Sequence, residues 1–381
     1  NTDDQDNNEV TDFKVGFIML HDENSTYDLN FINAAKEACE TLGVEYTIVT
    51  NVPEGQECYD KAAELADAGC NIIFADSFGH ESFMKQAAAQ FPDVQFCHAT
   101  GTSSKFANIP NFHNAFAAIY EGRYLAGIAA GMKLNEMIAD KKITAEQAII
   151  GYVGAFTYAE VVSGMTSFFL GARSVCESAT MKVRYTGSWY DQAKEQEAAN
   201  ALITNDKCVL ISQHADSLGA PTACELAGVP NVSYNGSTYS AGENTFIVSS
   251  AINWAPYFQY IIESVVKGET IDTDWVGTIA NNAVVLSGIN QDVAGEGTME
   301  KIQTAIDGFK AGTLKVFATD KFTVEGKALT EYKADVDGDF KGETNVIHDG
   351  FFDESNAKEF RSAPYFDIII DGVTNLNTNF G

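Results

Sequence analysis

Apolar residues along this chain fall into short unbroken runs that alternate with longer stretches of helical spacing. Residues 13–20 (FKVGFIML) form the first run, bounded by polar turn residues, which reads as a buried strand. After a polar loop, residues 27–42 place Phe31, Ala34, Ala35 and Ala38 at helical spacing, and Gly43 stands where a helix C-cap belongs. A strand at 45–49 follows, and the pattern repeats: helix 61–68, strand 71–75, helix 81–90, strand 94–98. Near residue 148 it restarts, with strand 148–155, a helix opened by Thr157 and Tyr158, strand 182–185, helix 192–203 and strand 208–212. Strands alternating with helices imply βαβ units, hence parallel sheets covered on both faces.

The two halves agree in detail. A Thr-Tyr pair follows the leading strand of each, at Thr26-Tyr27 and Thr157-Tyr158, an offset of 131 residues. A Cys directly precedes the corresponding apolar strand in each, at Cys70 and Cys208, an offset of 138. The expected fold class is therefore α/β with two lobes, each a parallel sheet flanked by helices. In such sheets ligands bind beyond the carboxyl ends of the strands, and two facing lobes make a cleft there that hinge closure can seal. The segments to inspect are 21–30, 76–80, 98–101, 156–160, 188–191, 213–217 and 234–238. They are rich in aromatics, amides and hydroxyls, a chemistry that suits a planar heteroaromatic or a sugar. Core packing explains most single aromatics. Trp189 differs, because GSWYD (187–191) places it in a small polar loop after a strand.

Composition narrows the partners. Lys and Arg number 24 against 53 Asp and Glu, a formal net charge of -29. That balance argues against nucleic acid and anionic lipid, which need basic surfaces. No run approaches the ~20 apolar residues that span a bilayer. Residues 1–11 hold four acidic side chains and almost nothing apolar, so they read as a flexible acidic tether. A mature exported lipoprotein would begin so, its signal peptide and acylated Cys removed. The seven cysteines include no C-x-x-C pair, and Cys39, Cys70 and Cys208 sit in apolar contexts as small hydrophobes.

Catalytic motifs are missing: there is no G-x-S-x-G, Walker A, G-x-G-x-x-G or H-E-x-x-H. His98 follows a strand without a nucleophile at a defined spacing. QHADS (213–217) sets His, Asp and Ser side by side, but neighbours on a loop do not make a triad. Asp335, Asp337 and Asp339 (DVDGD) resemble the start of a calcium loop, yet Gly338 does not fit an EF-hand, and a solvated acidic loop is the expectation. No catalytic residue, cofactor or metal is expected.

Taken together, VGFI with TYDLNF (26–31), SFGHESF (77–83), FPDVQFCHATG (91–101), YEGRYLAG (120–127), GSWYD and QHADS resemble the basic membrane protein family. These are substrate-binding lipoproteins of ABC importers whose known members bind purine nucleosides or bases. The resemblance runs from about residue 14 to 290 and implies the type I periplasmic-binding-protein fold. It implies that Tyr27 and Trp189 sandwich a ring across the cleft and that Asp28 contacts ligand. The family's nucleoside pattern has an acid in a Gly-Val-Asp-x-Asp segment and a downstream Lys near the ribose. Here SYNGS (233–237) and AINW (251–254) stand instead, with Trp254 expected to fill that space. The departure favours a free base such as adenine.

One organisation of the chain is expected. Lobe one is 12–117 with about 254–275, lobe two is 118–250, and 276–381 returns to the lobes by a path the sequence does not trace. The site comprises Tyr27, Asp28, Ser77, Phe78, Trp189, Asp191, Gln213, His214, Asp216, Ser237 and Trp254. The protein is expected to be an extracytoplasmic, monomeric purine receptor that serves an ABC permease. The alternatives are the same receptor for a sugar or other heteroaromatic, and a purine nucleosidase using His214 or His98.

Overall fold

The first half of the chain winds five parallel strands of a six-stranded sheet in the order the βαβ pattern requires. A computed structural model describes residues 13–378; the stretch 1–11, expected as a tether, lies outside the described residues. Strands β1 (Lys14–Ile18), β2 (Glu45–Val49), β3 (Ile72–Ala75), β4 (Gln95–Ala99) and β5 (Phe112–Ala117) alternate with helices α1 (Thr26–Leu42), α2 (Gln56–Asp67), α3 (Glu81–Gln90) and the single turn α4 (Ser104–Ala107). The long helix α5 (Ile119–Ala139) then carries the chain to a second sheet. There β6 (Ile149–Gly154), β7 (Thr180–Tyr185), β8 (Leu210–His214), β9 (Asn231–Tyr234) and β10 (Phe246–Ile252) alternate with α6 (Ala159–Arg173), α7 (Gln192–Thr204) and α8 (Gly219–Ala227).

Both sheets place their strands alike. The first runs β2-β1-β3-β4-β5 and the second β7-β6-β8-β9-β10, all parallel. The two-lobed α/β architecture is the one the sequence pattern led us to expect. Local chemistry sets the ends of α1. Ser25 Oγ accepts the Asp28 amide at 3.2 Å, and Gly43 takes the left-handed conformation (φ 66°) that ends the helix. Helix α2 begins five residues before the expected start at 61. Its first turn is polar apart from buried Cys58, and Gly55 offers no capping side chain, so the periodicity does not reveal it.

The chain returns to lobe one through α9 (Ala255–Lys267), which packs on α1, and β11 (Asp274–Gly277), which pairs with β5. It then crosses back. Strand β12 (Val284–Leu286) runs antiparallel to β10, α10 (Thr298–Lys310) packs on α5, and a last strand, Val373–Asn375, pairs with β7 at the far edge of the second sheet. Much of the C-terminal region is thus part of lobe two. Phe317, Phe322, Phe352 and Phe366 join Phe168, Phe169 and Ile247 in its main apolar cluster. We propose the lobe boundaries on this division of elements between the sheets.

Helices α5 and α6 meet backbone to backbone. A methyl group on Gly127 would lie 2.0 Å from the Phe168 carbonyl oxygen, and one on Gly171 would lie 2.0 Å from that of Tyr124. All seven cysteines are buried and unpaired. Burial pushes the thiols of Cys39, Cys58, Cys97 and Cys208 up to about 12, which keeps them unreactive.

Candidate functional site

Six strands hand over to segments that enter the gap between the lobes. Leu20 follows β1, Tyr27 and Asp28 occupy the first turn of α1, Ser77 and Phe78 follow β3, and Thr100 follows β4. From lobe two come Glu160 at the start of α6, Trp189 after β7, and His214 with Asp216 at the end of β8. Together these ten residues line a narrow cleft, partly open to solvent, whose walls in this closed arrangement leave little more room than a water molecule needs.

The lobes are closed around it. The Thr26 amide and hydroxyl of lobe one both donate to the Asp216 carbonyl of lobe two, at 3.0 and 3.3 Å. The rings of Phe78 and Tyr158 face each other across the gap at 5.4 Å, as do those of His21 and Tyr190.

The two aromatic walls are held rigidly. Tyr27 donates its hydroxyl to the Asp76 carbonyl at 2.6 Å and packs edge-on against Phe31 at 4.8 Å. Trp189 packs against Phe156 at 4.9 Å, and its carbonyl accepts the Asp216 amide at 2.9 Å. Flat side chains from both lobes, Tyr27 and Phe78 on one side and Trp189 on the other, therefore border the cavity.

Acidic groups dominate the polar lining, and none of the ten lining residues is Lys or Arg. Asp216 is raised well above the usual carboxylate range by burial first, then by the charges of Asp28, Glu195 and Glu160. Asp76, behind the cavity, is raised by burial and by Asp28. Burial would raise Asp28 too, but hydrogen bonds from His21, Asp76 and Ser25 outweigh it and hold the carboxyl low. Asp28 is thus the acceptor of the group, while burial shifts its neighbours Asp76 and Asp216 toward the protonated form. His214 Nε2 lies 3.6 Å from Glu160, and burial keeps its imidazole neutral despite that neighbour.

Seven expected residues, Tyr27, Asp28, Ser77, Phe78, Trp189, His214 and Asp216, come together at this cavity. Four stand elsewhere. Asp191 caps α7, accepting the Lys194 amide at 3.0 Å. Gln213 is buried in a side-chain network, donating to Ser233 and accepting from Asn231. Ser237 is exposed and accepts the Tyr239 amide. Trp254 is 1% exposed in the lobe-one core, stacked on Phe31 at 4.5 Å. Its indole points into the core because β10 ends as the chain crosses to α9, a turn the sequence does not reveal. Leu20, Thr100 and Glu160 were missed, although Thr100 and Glu160 lie in strand-end segments marked for inspection.

The histidine alternatives separate. His98 is fully buried, its Nε2 2.6 Å from the Ser77 carbonyl, and it does not line the cavity. His214 does. Asp335, Asp337 and Asp339 have oxygens within 4.8 Å of one another, but the loop's own amides occupy Asp335, and Lys341 pairs with Asp339 at 2.5 Å.

Glu195 supports the cavity from behind. Its carboxylate accepts the amides of Ser217 and Asp191, yet burial raises it to about 7. A carboxyl raised from 4.5 to about 7 adds stability that is complete below its unfolded value and is lost as pH climbs toward 7. This amounts to about 3 kcal/mol. The melting temperature is expected to fall between pH 5 and 8, and Glu195→Gln should shrink that fall. An unaltered pH dependence in the variant would show that Glu195 titrates normally.

Fold and cleft together define a class: a two-lobed solute-binding protein. The profile of ABC transporter substrate-binding proteins of the Bmp, PnrA-like type matches residues 16–305, and the chain belongs to that family. It is 35% identical over 261 residues to a purine-binding protein of Brucella abortus, spanning 67% of this chain and 69% of that protein. It is 34% identical over 245 residues to a Haloferax volcanii protein named as a candidate ABC transporter glucose-binding protein, spanning 64% of this chain and 58% of that one. Among solved structures, a solute-binding protein of Aeropyrum pernix superposes with TM-score 0.68 at 14% identity, covering 80% of this chain and 93% of that one. One from Conexibacter woesei gives 0.64 at 20% identity, covering 80% and 98%. These two share the fold. Members of the family act outside the cytoplasm, and no helix among the described residues is long and apolar enough to cross a membrane.

Proposed function

We propose that this protein captures a purine ring between Tyr27 and Trp189 and delivers it to an ABC permease. The observation that carries this reading is the narrow interlobe cleft with Tyr27 and Phe78 of lobe one and Trp189 of lobe two at its walls. Stacking on both faces holds any planar base. Asp28 as acceptor and the Thr100 hydroxyl, which borders the same cleft without a protein partner, as donor suit the mixed edge of a purine, which carries both kinds of group. The 35% identical Brucella abortus relative, named for purine binding, supports the same ligand class. A nucleotide is disfavoured, because its phosphates would meet Asp28, Asp216 and Glu160 with no lining cation. The free-base expectation rested partly on Trp254 filling the ribose space. With Trp254 in the core, that support is withdrawn and the base-bearing class as a whole stands. The reading includes a lipid-tethered monomer that presents both lobes to the permease.

Glucose is the second reading, favoured by the Haloferax volcanii relative and compatible with an aromatic, acid-lined cleft. Mass spectrometry of ligand released from heat-denatured protein decides between them. A purine in near-stoichiometric yield supports the proposal, a hexose supports the rival, and a free base formed from added nucleoside would revive the nucleosidase. Trp189→Ala should weaken purine binding by about 1–3 kcal/mol, roughly 5- to 150-fold. Asp191→Ala, outside the cavity, should leave affinity unchanged. Titration calorimetry that finds equal affinities for wild type and Trp189→Ala would remove the stacking wall.

A further inference from the structure

The family match stops at residue 305, and the C-terminal segment beyond it runs along the edge of the cleft. There Gly338 and Tyr365 stand beside Thr102 of lobe one and Tyr158 of lobe two. The segment grips the two lobes by different chemistry. On lobe two the contact is apolar and deep: Phe317, Phe352 and Phe366 are buried in the main cluster with Phe168 and Phe169, and Val373–Asn375 extends the sheet beside β7. On lobe one it is polar and narrow. Ser362 donates its amide to Asp274 Oδ2 at 2.9 Å and its hydroxyl to Oδ1 at 2.5 Å. Asn114 donates to Asp274 Oδ1 at 3.1 Å and to the Ser362 hydroxyl at 3.2 Å. Asn114 and Asp274 are register partners on β5 and β11, so the pair is fixed in the sheet of lobe one. Lys105 donates to the Lys358 carbonyl, and Gly338 lies so near Thr102 that a methyl there would reach its hydroxyl at 2.5 Å.

This asymmetry decides which contact gives way when the lobes part. Pulling the phenyl rings from their cluster would expose a large apolar surface to water. Hydrogen bonds break at far lower net cost, because water takes the place of each lost partner. The segment therefore stays with lobe two and lets go of lobe one. Covalent crossings at 117–119, 252–255 and 277–284 join the lobes in either state, whereas this tie exists only when they are together. Such a tie shifts the open–closed equilibrium by its own free energy, independently of what the cleft holds.

We infer that the C-terminal segment is a strap that latches lobe two to lobe one through Ser362 and Asp274 and so favours the closed receptor. Asp274→Asn tests it. Oδ2 faces the Ser362 amide and Oδ1 the Asn114 amide, so the NH2 of asparagine meets a donor whichever way it turns. Small-angle X-ray scattering of the variant without ligand should give a larger radius of gyration than wild type, and saturating adenine should restore the compact value. Stopped-flow measurements should show adenine leaving the variant about ten-fold faster. Should Asp274→Asn not fold, Ser362→Gly removes the hydroxyl from the latch and should move both readouts in the same direction. A wild-type radius in both variants overturns the strap. So does a radius that stays large with adenine bound, which would mean loosened packing rather than parted lobes. Failure of wild type to bind adenine counts against the ring site alone, and the radius without ligand still decides the strap.

Discussion

Arg123→Ala lowers the unfolding free energy by about 3–5 kcal/mol. Arg123 projects from α5 and is fully buried, and no ion pair to it is found among the described residues. Its charge is met by dipoles and ring faces instead. Nη2 donates to the Tyr152 hydroxyl at 2.6 Å and points toward Ser212 Oγ and the Gln213 carbonyl at 3.4 Å, while Nη1 reaches the Ser233 carbonyl at 3.3 Å. The guanidinium carbon lies 4.6 Å from the Tyr234 ring centre and 5.4 Å from that of Phe168. One side chain thereby ties α5 to the ends of β6, β8 and β9, directly beneath His214. Truncation leaves a cavity and strands buried carbonyls and hydroxyls. Lysine should be a poor substitute, since it cannot reproduce the planar fork. Urea denaturation measures the loss, and a change below about 1 kcal/mol would show that water or neighbouring side chains replace the guanidinium.

Gly171→Ala should be at least as damaging as a severe core overpacking, more than about 3 kcal/mol. Its methyl would lie 2.0 Å from the Tyr124 carbonyl oxygen, and backbone cannot rotate aside as a side chain can. Helices α5 and α6 would have to part along their whole contact. Gly127→Ala meets the reciprocal obstacle at the Phe168 carbonyl. The double substitution should therefore cost less than the sum, because helices already parted accommodate the second methyl. Gly288→Ala, with no atom within 4 Å, is the neutral control. A folded Gly171→Ala protein with wild-type denaturation midpoint would mean that the helices do not cross this closely.

Much of this molecule is legible from periodicity. Two rounds of strand–helix alternation, with Thr-Tyr pairs and Cys-led strands at matching offsets, specify two α/β lobes, because apolar runs must be buried and helices must cover both sheet faces. The strand-end rule then points to loops that meet in the structure, and seven of the eleven expected residues reach one cavity. Its failures are physical in origin. Asp191 and Gln213 lie in the right segments but face away, since neighbouring loop residues point in different directions and each finds a local partner. Trp254 looked like a ligand group because nothing in a linear sequence says that Phe31 and Phe74 wait beneath it.

The sequence by itself determined the class of fold, the acidic character of the protein and the lack of a catalytic signature. Those properties follow from local periodicity and composition, which the chain carries residue by residue. Only the tertiary structure decided the rest. It brings Glu160 to His214, buries Asp76 and Asp216 so that their carboxyls are raised, and closes Thr26 onto Asp216. It also folds the C-terminal segment, distant in sequence and lacking strong periodicity, against the cleft mouth. Contacts of that kind depend on how two lobes meet, and long-range packing has no signature in the order of neighbouring residues.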